Sequence, residues 1–187
     1  MDYDHTMQHA QSEPSSIEPK LLEIRPMVVA DLDGLMQVQQ ACYGRDYMES
    51  AETYRARLGC QLQCSLVAVH NGVVSAYLAA YRSTFGKVTP LHGHFSESNI
   101  QDTLYLHDMA VSPNFSGQGF AQALFASLWE RAKHWCPRHS ALVAVQGSQA
   151  YWANKGYELH AQLTEENAIA LRSYGDDAVY MVRPYSP

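Results

Sequence analysis

The sequence predicts an α/β fold, a mixed β-sheet with helices packed on its faces, and three observations carry that prediction. An apolar run at 104–111 is broken by Ser112 and Pro113 and passes two glycines, Gly117 and Gly119. Beyond them Phe120, Leu124, Leu128 and Ala132 recur four apart, the period of a helix. The unbroken apolar stretch Ala141–Val145 suits a central parallel strand covered on both sides. His70-Asn71-Gly72 separates Cys64–Val69 from Val73–Ala80, and Asn-Gly between two such runs marks a hairpin.

The remaining elements follow in chain order. Met1 to Pro19 is polar and without period, which reads as a flexible arm and leaves residues 20–187 as one domain. Leu21–Val28 alternates as a first strand. Ala30–Tyr43 carries Leu32, Leu35, Met36, Val38 and Cys42 on a helical face, and Glu49–Leu58 forms a second, short helix. After the 64–80 hairpin, residues 85–102 form a long loop rich in Gly, Pro, Ser and Asn, a length usually reserved for function. Strand 104–111 and helix 118–134 lead to strand 141–145. Ser148 is expected to cap a helix over 149–155 that Gly156 ends. Tyr157–Leu163 and Val179–Arg183 are expected as two antiparallel strands joined by a second long loop, 164–177.

Composition narrows the function classes. The net charge is −6 with 47% apolar residues and no basic run, which argues against nucleic acid or an anionic membrane as partner. No segment has the length of a transmembrane helix and no signal sequence opens the chain, so a cytoplasmic protein is expected. The four cysteines, Cys42, Cys60, Cys64 and Cys136, match no zinc or redox spacing. Nine histidines are scattered, with only His92 and His94 close together, so no metal is expected.

The strand–turn–helix at 104–134 is the chemically informative segment. Backbone N–H groups at a glycine-bearing turn, together with the positive end of the helix dipole, make a seat for phosphate. A dinucleotide fingerprint would need a third glycine where Gln122 stands, and a Walker loop would need a lysine that the turn lacks. Ser116-Gly117-Gln118-Gly119-Phe120-Ala121 resembles the acetyl-CoA loop of the GNAT superfamily of N-acetyltransferases, Gln/Arg-x-x-Gly-x-Gly/Ala. It matches at Gly119 and Ala121 and departs at the first place, where Ser116 stands for Gln or Arg. Met109-Ala110-Val111-Ser112-Pro113 also resembles the family's fourth strand, and the order of elements resembles the family's order over about Leu21 to Tyr185.

That resemblance implies a sheet splayed between its fourth and fifth strands, here 104–111 and 141–145, with acetyl-CoA as cosubstrate in the split. The main chains of Met109, Ala110 and Val111 would pair with the pantetheine, and the amides of Ser116, Gly117, Gln118, Gly119, Phe120 and Ala121 would hold the diphosphate. The implied reaction is direct acetyl transfer to a primary amine in a ternary complex. A small-molecule amine is the expected acceptor, with a protein N-terminus or lysine, or a non-catalytic acyl-CoA sensor, as the alternatives; a homodimer is compatible. An enzyme of nucleotide phosphates using the same turn is a further rival.

Acetyl transfer needs a proton acceptor for the ammonium, a donor for the oxyanion and relief for the thiolate. The Met109 N–H is expected to serve the oxyanion. Alternation puts Tyr105, His107, Met109 and Val111 on one strand face and Leu106, Asp108 and Ala110 on the other. Tyr105-Leu106-His107-Asp108-Met109-Ala110-Val111 resembles the His-x-His-x-Leu-Ala-Val strand of arylalkylamine N-acetyltransferases, in which two histidines relay the proton. His107 takes the second histidine place and Tyr105 the first. Asp108 becomes the base instead if a bulge inverts the strand's parity. Where the family often carries an acidic tyrosine, this chain has Trp152, an N–H donor that is no acid near neutrality. Tyr151, Tyr174 and Tyr180 are the substitutes, with an unassisted thiolate as the other solution. His92, His94, Phe95, residues 43–48 and residues 173–177 should border the acceptor pocket, where Asp176 or Asp177 would meet an ammonium.

Overall fold

The computed structural model describes residues 22–44 and 47–186; the expected arm at 1–19 lies outside them. Its strands are β1 (Leu22–Pro26), β2 (Leu66–His70), β3 (Val73–Ser83), β4 (Thr103–Val111), β5 (His139–Ala144), β6 (Glu158–Leu159) and β7 (Val179–Pro184). Its helices are α1 (Leu32–Cys42), α2 (Ala51–Leu58), α3 (Phe120–Ala132), α4 (Gln149–Ala153) and α5 (Glu165–Arg172). The strands form one seven-stranded sheet in the order β1-β2-β3-β4-β5-β7-β6. β4 and β5 are its parallel neighbours, and the other pairs are antiparallel.

Each face of the sheet carries its own core. On the α1/α2 face Leu35, Val38, Tyr54, Tyr77, Tyr81 and Tyr105 pack together, and on the α3 face Leu78, Leu104, Leu106, Leu124, Leu128 and Leu142 do so. The β2–β3 hairpin turns through Asn71 and Gly72 at φ 50° and 79°, the pair of left-handed residues that a tight hairpin of matching twist requires. α1 is preceded by a short 3-10 turn, Val29–Asp31, where the Asp31 carboxylate accepts the Val28 N–H at 2.8 Å and pairs with Arg25 at 2.7 Å.

The structure departs from the sequence expectations at four places. The 164–177 loop contains α5: Thr164 caps it by accepting the Asn167 N–H, with Glu165 and Glu166 in the first turn favouring the helix dipole. Its apolar residues Ala168 to Leu171 are consecutive rather than periodic and none is buried, which hides the helix from a periodicity search. The 157–163 strand shrinks to Glu158–Leu159. Ser148 adopts a helical conformation and its side chain caps nothing.

The fourth departure is a bulge in β4. Ala79 pairs with Asp108 and Ala80 with Leu106, so His107 has no partner on β3. Alternation restarts there, and His107 and the adjacent Asp108 both project toward α1 and α2. Met109 and Val111 pack instead with the α3-side core, so the expected shared face of Tyr105, His107, Met109 and Val111 ends at His107.

Candidate active site

The two central strands part at the bulge. β4 and β5 pair only from Thr103 with His139 to Leu106 with Leu142; beyond that point a cleft of about 260 Å³ opens between them. Its walls are His107, Asp108 and Met109 from β4 and Val143, Val145 and Gln146 from the β5 side, with Tyr43 at the end of α1 and Tyr151 and Trp152 of α4 closing it.

The backbone of β4 presents polar groups to this opening. The Ser112 N–H donates to the Ser75 carbonyl at 2.9 Å, and antiparallel bonding alternates, so Ala110 bonds to β3 while Met109 and Val111 point away from it. Their carbonyls accept from the Tyr43 hydroxyl at 3.2 Å and the Cys42 thiol at 3.1 Å. Their N–H groups face the space that β5 has left.

Beyond the end of β4 the chain turns into α3. Gly117 and Gly119 sit at φ 74° and 84°, and Gly119 is the residue before the helix. The N–H groups of Gly117, Gly119, Phe120 and Ala121 have no acceptor among the described residues, and 116–119 are exposed. The Gln118 N–H bonds to the Phe115 carbonyl at 3.3 Å and the Ser116 N–H to the Pro113 carbonyl at 3.2 Å, which shapes the turn. Unpartnered amides at a helix N-terminus suit an anion such as a diphosphate.

Behind the cleft a smaller chamber of about 50 Å³ shares Tyr43, His107, Asp108, Val143 and Val145 with it and adds Tyr47, Glu49, Leu91 and Tyr174. The Asp108 carboxylate accepts hydrogen bonds from the Tyr43 and Tyr54 hydroxyls, both at 2.6 Å, and from the Tyr77 hydroxyl. No Lys, Arg or His nitrogen among the described residues pairs with it. A carboxylate offers about four lone-pair positions, so one remains for a ligand.

His107 belongs to a buried network. Its Nε2 lies 3.2 Å from the Glu49 carboxylate and its Nδ1 3.3 Å from the Tyr174 hydroxyl, which itself donates to the Thr89 carbonyl at 2.7 Å. Glu49 forms a two-pronged pair with Arg57, and both are almost wholly enclosed. Arg57 in turn donates to the Gly93 carbonyl at 3.0 and 2.7 Å, while the His92 N–H donates to Glu49 at 2.8 Å. Gln39 holds the Glu49 backbone at both its N–H and its carbonyl. Burial by itself would raise the Glu49 pKa, but the hydrogen bonds from Arg57 and His107 outweigh it and hold the group well below the usual carboxylate range. Burial and the Arg57 charge push His107 below its ordinary value, only partly offset by Glu49, so near neutrality the imidazole is uncharged. The Glu49 contact then places the ring proton on Nε2 and leaves Nδ1 as an acceptor facing Tyr174. Burial, with the charge of Asp108, raises Tyr43, and burial, with that of Glu49, raises Tyr174.

Of the residues singled out from the sequence, His107 and Tyr174 meet at the chamber, and Met109 lines the cleft. Tyr105 does not reach either: it is enclosed in the core behind His107, its hydroxyl without a partner. Tyr180 is buried elsewhere, accepting the Gly86 N–H at 3.2 Å. Trp152 lines the cleft, and Tyr151 is exposed at its rim under the Lys155 ammonium. Phe95 stacks on Tyr81 and meets His107 edge-on, whereas His94, Asp176 and Asp177 are exposed and line neither chamber. The sequence reading had Tyr43 only within a bordering loop and missed Glu49, Tyr54, Arg57 and Tyr77. A charged Arg57 three residues after Tyr54, on the inward face of a short helix, was the available signal.

Comparison with known proteins bears on this arrangement. The profile of the Acetyltransferase (GNAT) family matches residues 32–157, which includes the cleft, the turn into α3 and α4. The chain belongs to this family. No curated protein matches it in sequence. Among solved structures it is similar to the ribosomal-protein-S18-alanine N-acetyltransferase from Escherichia coli, with 16% identity, TM-score 0.64, and 89% of this chain and 96% of that one covered. A GNAT family acetyltransferase from Brucella melitensis in complex with acetyl-CoA gives 16% identity and TM-score 0.57 over 90% of this chain and 91% of that one. The GNAT-like decarboxylase GphF in complex with isobutyryl-CoA gives 14% identity and TM-score 0.69 over 88% of this chain and 100% of that one. At such identities the likeness concerns the fold, so the chemistry of this GNAT member rests on its own residues.

Proposed function

We propose that the protein is an acetyl-CoA-dependent N-acetyltransferase that acetylates a primary amine of a small molecule by direct attack, without a covalent enzyme intermediate. One observation carries the reading: β4 and β5 part beside Met109, whose outward N–H faces the cleft, β4 runs on into the unpartnered amides at the start of α3, and the cleft shares His107 and Asp108 with the chamber. In this reading the α3 amides hold the CoA diphosphate, the Met109 and Val111 backbone lines the pantetheine, and the Met109 N–H stabilises the oxyanion.

The acceptor ammonium sits against the remaining lone pair of Asp108. Its proton passes to the Tyr174 oxygen as the Tyr174 hydroxyl turns from the Thr89 carbonyl and gives its own proton to His107 Nδ1, and the imidazolium so formed faces Glu49. The free amine attacks the thioester carbonyl, the C–S bond breaks, and the Tyr43 hydroxyl, kept protonated by its raised pKa, turns from Asp108 to donate to the departing thiolate. The narrow chamber, roofed by Leu91 and walled by Tyr47 and Tyr174, supports a small acceptor over a peptide. Trp152 at the usual tyrosine place favours a second reading, a non-catalytic acyl-CoA sensor.

Steady-state release of CoA across a panel of small amines and N-terminal peptides tests both. Turnover with small amines is expected; tight acetyl-CoA uptake with no turnover on any acceptor would make the protein a sensor, and no uptake at all would sink both readings.

A further inference from the structure

On the α3 side of the sheet a cavity of about 280 Å³ opens between the β2–β3 pair and the C-terminal turn of α3, and it shares no lining residue with the cleft or the chamber. α3 has 13 residues and is therefore about 20 Å long, which separates this cavity from the glycine turn by the length of the helix. Arg82, Arg131 and His134 line it and no carboxylate does, in a chain whose net charge is −6. Like charges that converge on one hollow repel one another unless an anion lies between them.

The arginines are not otherwise engaged. The Arg82 Nε is enclosed and has no acceptor, and Arg131 has only a 3.4 Å contact with the Ser127 hydroxyl. Neither forms an ion pair among the described residues. Nor are they needed to cap α3. The carbonyls of Glu130, Arg131, Ala132 and Lys133 already accept from Lys133, His134, Trp135 and Cys136. The Cys64 thiol adds no negative charge, since burial pushes it up to about 12. Apolar wall is supplied by Pro26, Leu66, Leu128 and Trp135, the last lying under the Arg82 guanidinium at 5.7 Å.

We propose that this cavity binds a small organic oxyanion, a carboxylate or phosphate carried on an apolar body, with Arg82 and Arg131 as its charge partners. A guanidinium offers two parallel N–H donors that match either head group, and the wall beneath takes the hydrocarbon. The site is separate from acetyl transfer and does not depend on that reading.

Calorimetry on the full chain at low salt, with hexanoate, hexyl phosphate, hexanol and inorganic phosphate as probes, tests it. Hexanoate or hexyl phosphate should bind at least tenfold more tightly than hexanol, more weakly as salt rises, and the better of the two names the head group. Arg131→Gln and Arg82→Gln should each weaken that binding tenfold or more, with acetyl-CoA uptake by Arg131→Gln unchanged. Arg131 is exposed, so its variant remains informative even where Arg82→Gln fails to fold. No binding of either hexyl anion, or binding indifferent to both substitutions, would overturn the proposal; inorganic phosphate binding as well as hexyl phosphate would overturn the apolar half of it.

Discussion

Asp108 and His107 are neighbours in sequence that face the same side of the sheet because the strand bulges at His107, which has no β3 partner. Three hydroxyls and no cation surround the Asp108 carboxylate, which is where a cationic acceptor gains most. Asp108→Asn is therefore expected to lower kcat/KM for amines about 100-fold, mostly through KM, with the acetyl-CoA dissociation constant unchanged. Steady-state kinetics paired with calorimetry would check the split; a purely structural Asp108 would lower Tm and move both constants together. His107→Gln removes the proposed proton acceptor, and the acid limb of the kcat/KM–pH profile should flatten while KM for acetyl-CoA holds. From the sequence, His107 was legible as a titratable group on the central strand, and Asp108 only conditionally. Simple alternation assigned the two to opposite faces, and a single unpaired residue brought them together. Tyr105 failed for the complementary reason: parity gave its face correctly but not its depth, and Phe95 and Tyr81 occupy the space it would need.

At the level of elements, two connections decide the site. The β4–α3 turn holds Gly119 at φ 84° where a Cβ would touch no protein atom, so its constraint is conformational rather than steric. Gly119→Ala should cost about 1–2 kcal/mol, read as a lower Tm and as acetyl-CoA binding weakened up to about tenfold. The second connection runs from α2 to the 84–102 loop through the Glu49–Arg57 pair. Removing one member of a buried pair strands the other, so Glu49→Gln should lose about 3–5 kcal/mol in urea unfolding, and Glu49→Gln with Arg57→Met should recover part of it. Strand 104–111, the hairpin and α3 were readable because each buries an apolar set of regular period. α5 and the α2 network were not, since α5 is held by its cap and by polar contacts such as Asn167 to the Val88 N–H at 2.8 Å, and α2 turns charged side chains inward.

For the molecule as a whole, acid is the weak side. His107 has a folded-state pKa below its ordinary 6.5, so the unfolded chain binds more protons and this contribution is complete above that value and lost as pH falls toward the folded one. Glu49 is likewise held below its ordinary 4.5, and its contribution is present above that value and lost on further acidification. Thermal melts from pH 8 to pH 4 should fall from about pH 6.5 downward, with the upper part of the fall absent in His107→Gln. The succession of elements and the mixed sheet were legible because the 64–80 hairpin and the parallel crossover through α3 each carry their own pattern; the placing of β7 between β5 and β6 was not. The point at which β4 and β5 separate was not, because it depends on where pairing stops rather than on any residue pattern. Glu49 touches both the imidazole and the His92 N–H of the loop above the chamber. Lifting that loop to exchange acceptor for product would wet the carboxylate and return the histidine toward its solution basicity. Product egress and the resetting of the proton acceptor would thus be a single breathing motion, and the catalytic cycle would be clocked by the loop.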